Sequence, residues 1–330
     1  MGRVLGILAV VVFAAVAFAG GAAYWGHGLY TAPGPSKQDI TLVIERGAGV
    51  DAIARILQRA GVIAEPLVFR LAARLQSAKR PLKAGEYAFP AGVTAKGALE
   101  LLQSGKTVVR RLTVAEGLTW AEVRALLERA EGLTGRVDLR PAEGTLLPET
   151  YHYSWGDRRE QLARRMQDAM SGLLAKLWAA RGADLPLATP TEALILASIV
   201  EKETAIAAER PRIAAVFLNR LRKRMRLQSD PTVVYGLTGG AAPLGRALTR
   251  ADLRMPTPYN TYLIDGLPPG PISNPGSASL EAALRPAATG DLYFVADGTG
   301  GHVLAATLEE HNRNVAKWRK VNQSHENGKR

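Results

Sequence analysis

Carboxylates carry the chemistry this chain can do. Glu201, Lys202 and Glu203 follow an apolar run from Ala193 to Val200. A carboxylate at the mouth of a buried apolar helix is poised for a raised pKa and general-acid work. The plainer reading is that these charges mark where the helix leaves the core. Glu201 and Glu203 are two positions apart, so on a helix they point about 200° apart. Glu192 lies on roughly the face opposite Glu201 by the same repeat. One helix therefore offers a site one carboxylate, not a pair. Ordinary glycoside hydrolases need two flanking the bond. Asp230 is a second carboxylate that the fold could bring. A single acid suits a lytic reaction, in which a sugar's own hydroxyl attacks and no water is consumed.

Other chemistries fit poorly. The chain has no cysteine, which removes disulfides, thiolate metal sites and cysteine nucleophiles. Five histidines, His27, His152, His302, His311 and His325, lack the two-His helical spacing of a zinc site. Ser198 sits in neither a Gly-x-Ser-x-Gly nor a Ser-x-x-Lys pattern. Gly298-Thr-Gly-Gly is followed by His and reads as a hairpin turn, not a phosphate loop. No metal and no organic cofactor is expected. The net charge of +12 is spread along the chain and aromatics are 6%. That is not the pattern of a nucleic-acid groove, and it suits an acidic polymer or an anionic membrane surface.

The helix that must position the carboxylate has a marked start. Thr189 caps, Pro190 takes the first helical position, and Glu192 completes a capping box. Before it, Val4 to Trp25 carries no charge and is long enough to span a bilayer, with Tyr24 and Trp25 as an interfacial belt. Arg3 precedes it, which predicts residues 1–3 in the cytoplasm, a transmembrane helix over 4–25 and the remainder outside. Ala17-Phe18-Ala19 also resembles a signal-peptide cleavage site. The apolar run continues past it, which favours an uncleaved anchor. Residues 26–39, with Pro33, Gly34 and Pro35, read as a linker.

From 40 to 132 the pattern repeats. Strand, Gly turn and amphipathic helix recur at Val43–Leu57, at Phe89–Leu102 and at Val114–Leu127. Pro66 to Gln76 is a further helix, with Leu67, Phe69, Leu71 and Leu75 expected inward. Units of this kind resemble LysM-like modules, whose ligand class is amino-sugar polymer. A plain packing module reads the same way.

Residues 133–321 make a mixed α+β domain. Glu143 to Tyr153 reads as an ordered loop and short strand, and Arg159 to Arg181 as a long basic helix. Pro211 to Met225 forms a helix, Leu292 to Ala306 a hairpin, and Leu308 to Val321 a last helix. Residues 322–330 read as a disordered tail. The expected fold class is thus α+β: an N-terminal transmembrane helix, a small LysM-like strand–helix repeat domain and a mixed α+β catalytic domain. Gln228, Ser229, Asp230, Tyr259, Asn260 and Tyr262 carry the amides, hydroxyls and rings that sugars use. They lie in loops that a rigid core can place around the carboxylate.

Several of these segments together resemble one family, the membrane-anchored endolytic murein transglycosylases of YceG-like type. They are Ala197–Thr204, Val216–Leu221, Met225–Gly236, Pro258–Tyr262, Gly266–Ile272 and Leu292–Gly298. The resemblance covers nearly the whole chain, from the anchor to Trp318. It implies that the family's catalytic glutamate falls on Glu201. It further implies cleavage of the MurNAc–GlcNAc β-1,4 bond in nascent peptidoglycan, leaving a 1,6-anhydroMurNAc end. That activity would terminate glycan elongation, near cell-wall synthases as partners. It also implies an inner-membrane location with periplasmic domains. The rival readings are a non-catalytic anchored glycan binder that holds synthases in place, and a pyridoxal-dependent lyase. The latter needs a Schiff-base lysine in a cytosolic fold, against which the anchor argues.

Overall fold

The computed structural model describes residues 2–77 and 79–327 of the chain. The architecture is mixed α+β, headed by an apolar helix. The chain folds as two compact units: Met1–Arg110 with His152–Gly156, and Arg111–Tyr151 with Asp157–Arg330.

The first unit begins with α1 (Gly2–Thr31). Its residues Leu5–Thr31 are long and apolar enough to cross a membrane, and none of its most apolar window is buried. The helix runs on through residues expected in the linker, because Gly26 to Thr31 contain no proline and the first helix breaker is Pro33. Strand β1 (Ile40–Ile44) follows, then helices α2 (Val50–Arg59) and α3 (Pro66–Ser77). Strand β2 (Gly85–Phe89) pairs antiparallel with β1, Leu42 opposite Tyr87, and α4 (Ala95–Ser104) closes the unit. Ile44, Ile53, Leu57, Phe69, Tyr87, Leu99 and Leu102 form its core.

On α3 the inward residues are Phe69 and Ala73. Leu67, Leu71 and Leu75, expected inward, are 54%, 54% and 85% exposed. The helical repeat explains the split. Phe69 and Leu71 are two residues apart and face opposite ways, while the four-residue steps 67–71–75 keep the leucines on one stripe.

The chain passes between units within β3 (Arg110–Thr113) and β4 (Thr150–Tyr153). The third strand–turn–helix copy therefore belongs to the second unit, not to a module reaching residue 132. Its helix α5 (Trp120–Arg129) starts with a full capping box between Thr119 and Glu122. Helices α6 (Arg159–Ala179), α7 (Pro190–Glu203) and α8 (Arg210–Arg222) come next, then α9 (Asp230–Thr238) and α10 (Ser277–Leu284). Strands β5 (Tyr293–Ala296) and β6 (His302–Ala305) form the expected hairpin, and α11 (Leu308–Asn327) ends the description. Residues 322–327, expected to be disordered, continue α11, and 328–330 lie outside the described residues.

The second unit is organised around α7. Every residue from Ala193 to Val200 is buried. Helices α6, α8, α9 and α10 all contact it, so no face is left for solvent. Phe217, Leu218, Leu227, Ile272 and Leu280 join it in one core. Only the two ends of α7, Pro190–Glu192 and Glu201–Glu203, reach beyond this core.

Candidate active site

The end of α7 is fixed at both ends by local chemistry. Thr189 accepts from the Glu192 amide, and the Glu192 carboxylate takes the Ala188 amide at 2.6 Å. Inside the helix, Ser198 donates to the Ile195 carbonyl and accepts from the Ile272 amide. Its hydroxyl is a strut in the core.

Glu201 and Glu203 leave this helix in different directions, as the repeat requires, and meet opposite environments. Glu201 turns into the protein, its side chain 4% exposed. Arg210, 9% exposed, donates to Glu201 Oε1 at 2.9 Å and also holds Glu116 at 2.9 Å. The Gly276 amide donates to Glu201 Oε2 at 2.9 Å. Both carboxylate oxygens are therefore engaged, one by a permanent cation. A pair of this kind fastens segments 116–118 and 274–276 to α7. Lys202 adds a bond to the Gly117 carbonyl, and Gly117 donates to the Asn274 carbonyl.

Gly276 leaves the room that the Glu116 side chain occupies in this arrangement. A Cβ there would collide with the Glu116 carboxylate, which Arg210 holds in place. Gly276→Ala is expected to cost about 1–3 kcal/mol by overpacking, read as a lowered urea midpoint at unchanged slope.

Glu203 faces the other way, into a cleft of about 290 Å³ that it lines with Arg220, Gln228, Asp230, Tyr262 and His311. Burial pushes its carboxyl up to about 7, and the neighbouring Asp230 charge adds to the rise. A hydrogen bond from the Ser229 hydroxyl, and the charges of His302 and Arg220, oppose it. Asp230, the first residue of α9, accepts from the Tyr262 hydroxyl at 2.7 Å. Gln228 holds a left-handed backbone at φ 51° (rare outside glycine) and its amide donates to the Thr261 carbonyl. That kink brings residues 228–230 across the mouth of α7. Arg220 is fixed by the Leu292 and Leu227 carbonyls at 2.7 and 2.8 Å.

The six expected sugar contacts divide. Gln228, Asp230 and Tyr262 line the cleft with Glu203, and Ser229 lies behind it as the partner of that carboxylate. Asn260 is fully buried. Its amide donates to the Leu253 and Met255 carbonyls and its oxygen takes the Tyr262 amide. It is a loop strut with no surface left for a ligand. Tyr259 packs on Tyr235 with centroids 4.8 Å apart and does not line the cleft.

In the sequence Arg220 reads as one of the cations at a basic helix end, Arg220–Arg226, and His311 as one of five scattered histidines, so spacing alone does not bring either to this cleft. Nor was Glu203 preferred to Glu201, since the repeat separates them without saying which faces the cleft.

On the far side of Asp230 lies a second cleft of about 370 Å³. Lys202, Val234, Tyr235, Leu244 and Ile272 are among its walls. Asp230 lines both clefts, so the two are neighbours along one groove. One is polar and holds Glu203; the other is mostly apolar.

A carboxyl that burial pushes up to about 7, an aspartate beside it and polar loops around both suit the cleavage of a polar chain molecule. Comparison with known proteins points the same way. A family model described as the YceG-like family matches residues 42–317, from within β1 to within α11. The chain is 31% identical over 315 residues to the endolytic murein transglycosylase of Bacillus subtilis (strain 168), covering 86% of each. It is 30% identical over 365 residues to the endolytic murein transglycosylase of Streptococcus pneumoniae serotype 2, matching 94% of this chain and 64% of that one. A crystal structure of a YceG-like protein from Listeria monocytogenes superposes with TM-score 0.51 at 32% identity, over 84% of this chain and 99% of that one. These matches span both folded units and the residues of both clefts, and the chain belongs to the YceG-like family.

Proposed function

We propose that this protein is an endolytic lytic transglycosylase of peptidoglycan and that Glu203, rather than Glu201, is its general acid and base. The observation that carries this reading is the contrast at the end of α7. Glu203 has a carboxyl pushed up to about 7 and faces a cleft, whereas Glu201 is locked to Arg210 and Gly276. A group near pH 7 is protonated often enough to give a proton and basic enough to take one back.

The bond cleaved is the β-1,4 link from MurNAc to GlcNAc. The Glu203 carboxyl protonates the glycosidic oxygen as the C1–O bond breaks. Positive charge grows on C1 and the ring oxygen, and Asp230, held by Tyr262, lies in the same cleft to stabilise it. The C6 hydroxyl of the same MurNAc then bonds to C1, and its proton passes to the Glu203 carboxylate. The acid is regenerated, no water enters the products, and the new end is 1,6-anhydroMurNAc. Cleavage within nascent strands would make the enzyme a terminase of glycan elongation, with cell-wall synthases as its partners. Helix α1 would anchor it in the inner membrane, residues 1–3 in the cytoplasm and the folded units in the periplasm. The order β1–α2–α3–β2 suits the LysM-like reading of the first unit, with amino-sugar polymer as its ligand.

A digest of purified peptidoglycan tests the reaction. Fragments lighter by one water than hydrolysis products are expected, read by mass spectrometry. Fragments at the hydrolysed mass would sink the mechanism, and no fragments at all would leave a binding scaffold.

The pH profile tests the acid. Because Glu203 must be protonated before turnover, kcat/KM is expected to fall tenfold per pH unit above about 7. The Asp230 charge raises the Glu203 value, so Asp230→Asn is expected to move that descending limb to lower pH. An unmoved limb would remove Asp230 from the electrostatics of the acid.

A further inference from the structure

The exposed leucine stripe of α3 is not used by the groove. Leu67, Leu71 and Leu75 lie on one face over two helical turns, a stripe about 12 Å long by the 1.5 Å rise. The opposite side of α3 is buried. Phe69 and Ala73 enter the core, while Arg70 and Arg74, which flank the leucine stripe, pair with Asp51 of α2 at 3.5 and 2.8 Å. The leucine face is therefore held outward by the packing of its own helix.

Its place relative to α1 points to what covers it. Tyr30, near the end of α1, lies beside Gln76, the neighbour of Leu75. Tyr30 also packs on the core of this unit, and α1 contacts both α3 and α4. Tyr24 and Trp25, 85% and 67% exposed, form the aromatic end of the apolar span. From Trp25 to Tyr30 is about 7.5 Å along the helix, close to the ~6 Å depth of one headgroup layer. The α3 end that carries Leu75 is thereby pinned at the level of the lipid headgroups. Exposed Lys79 and Arg80 follow directly, with the charge that complements anionic lipid.

We propose that the Leu67–Leu71–Leu75 face of α3 lies in the headgroup–acyl boundary of the bilayer that α1 enters. The first unit would then rest on the membrane by two contacts, a spanning helix and an interfacial one, and could not swivel about α1. This rests on the reading of α1 as an anchor.

The absence of native cysteine makes the test direct. Full-length single-cysteine variants Leu71→Cys and Leu75→Cys, with Val16→Cys as the anchor control, carry an environment-sensitive fluorophore. They are placed in phosphatidylethanolamine–phosphatidylglycerol vesicles with a spin-label quencher high on the acyl chain. All three sites are expected to be quenched at least about twofold, and more so at 71 and 75 as phosphatidylglycerol is increased. Quenching at 16 with none at 71 and 75, and free access of aqueous iodide to both, overturns the proposal while leaving the anchor standing. Loss of quenching at all three overturns the anchor and this inference together. Shielding of 71 and 75 from iodide without lipid quenching overturns it in favour of a protein partner or a second copy.

Discussion

Glu203→Gln is expected to lower the release of anhydro-ended fragments by about 10²–10⁴-fold, the usual worth of a positioned acid–base group. Gln keeps the shape of the side chain and can still accept from Ser229, but it has no proton to give. The same substitution should leave the protein more stable at alkaline pH. Burial holds the folded-state value near 7, above its ordinary 4.5, so the folded chain binds this proton more tightly than the unfolded chain does. Ionised Glu203 therefore costs stability. The cost begins as pH rises past the unfolded value, grows through the interval up to about 7, and is constant above it. Relative to wild type, the variant should match near pH 4 and gain about 1–3 kcal/mol at pH 8. Urea melts at both pH values, beside digests followed by mass spectrometry, check the two halves. An active Glu203→Gln variant would return the acid role to Glu201, and an inactive variant without the alkaline gain would mean that Glu203 is not desolvated as described.

The second large effect is on stability. Arg210→Met is expected to cost about 3–5 kcal/mol, because it leaves the Glu201 carboxylate buried with its cation gone. Glu116 loses the same partner but is 41% exposed and is re-solvated. Adding Glu201→Gln should recover part of the loss, since a neutral amide needs no counter-charge. The double-mutant cycle is then non-additive by at least about 1 kcal/mol. Strict additivity would mean that Arg210 acts by packing alone. The Arg210 variant should also lose turnover, because it loosens the turn that aims Glu203, two residues beyond Glu201. The measurement is urea unfolding of the four proteins in the cycle.

Much of this molecule is legible in the sequence where local rules decide. The cap at Thr189, the apolar run to Val200, the hairpin around Gly298 and the uncharged span from Val4 each follow from spacing and composition over a few turns, although the Glu192 carboxylate takes the Ala188 amide and not the Thr189 amide that a capping box requires. So does the statement that one helix offers a site only one carboxylate. Errors fall where two faces of the same helix compete. On α3 the leucines look like the core, yet Phe69 and Ala73 take it, and nothing local ranks one stripe above the other. Asn260 has the chemistry of a sugar contact, but its own loop consumes every polar atom it has.

The carboxylates at the end of α7 show the same division. Their types, their spacing and their place beyond a buried helix are written in residues 189 to 204. Which of them is the acid depends on Arg210, Gly276 and Asp230, contributed by other parts of the chain. Arg210 and the Gly276 amide occupy both oxygens of Glu201, whereas burial, with the charge of Asp230 nearby, pushes the Glu203 carboxyl up. A carboxyl's pKa is set by the charges and dielectric around it, not by its neighbours in sequence, and only the tertiary structure supplies those.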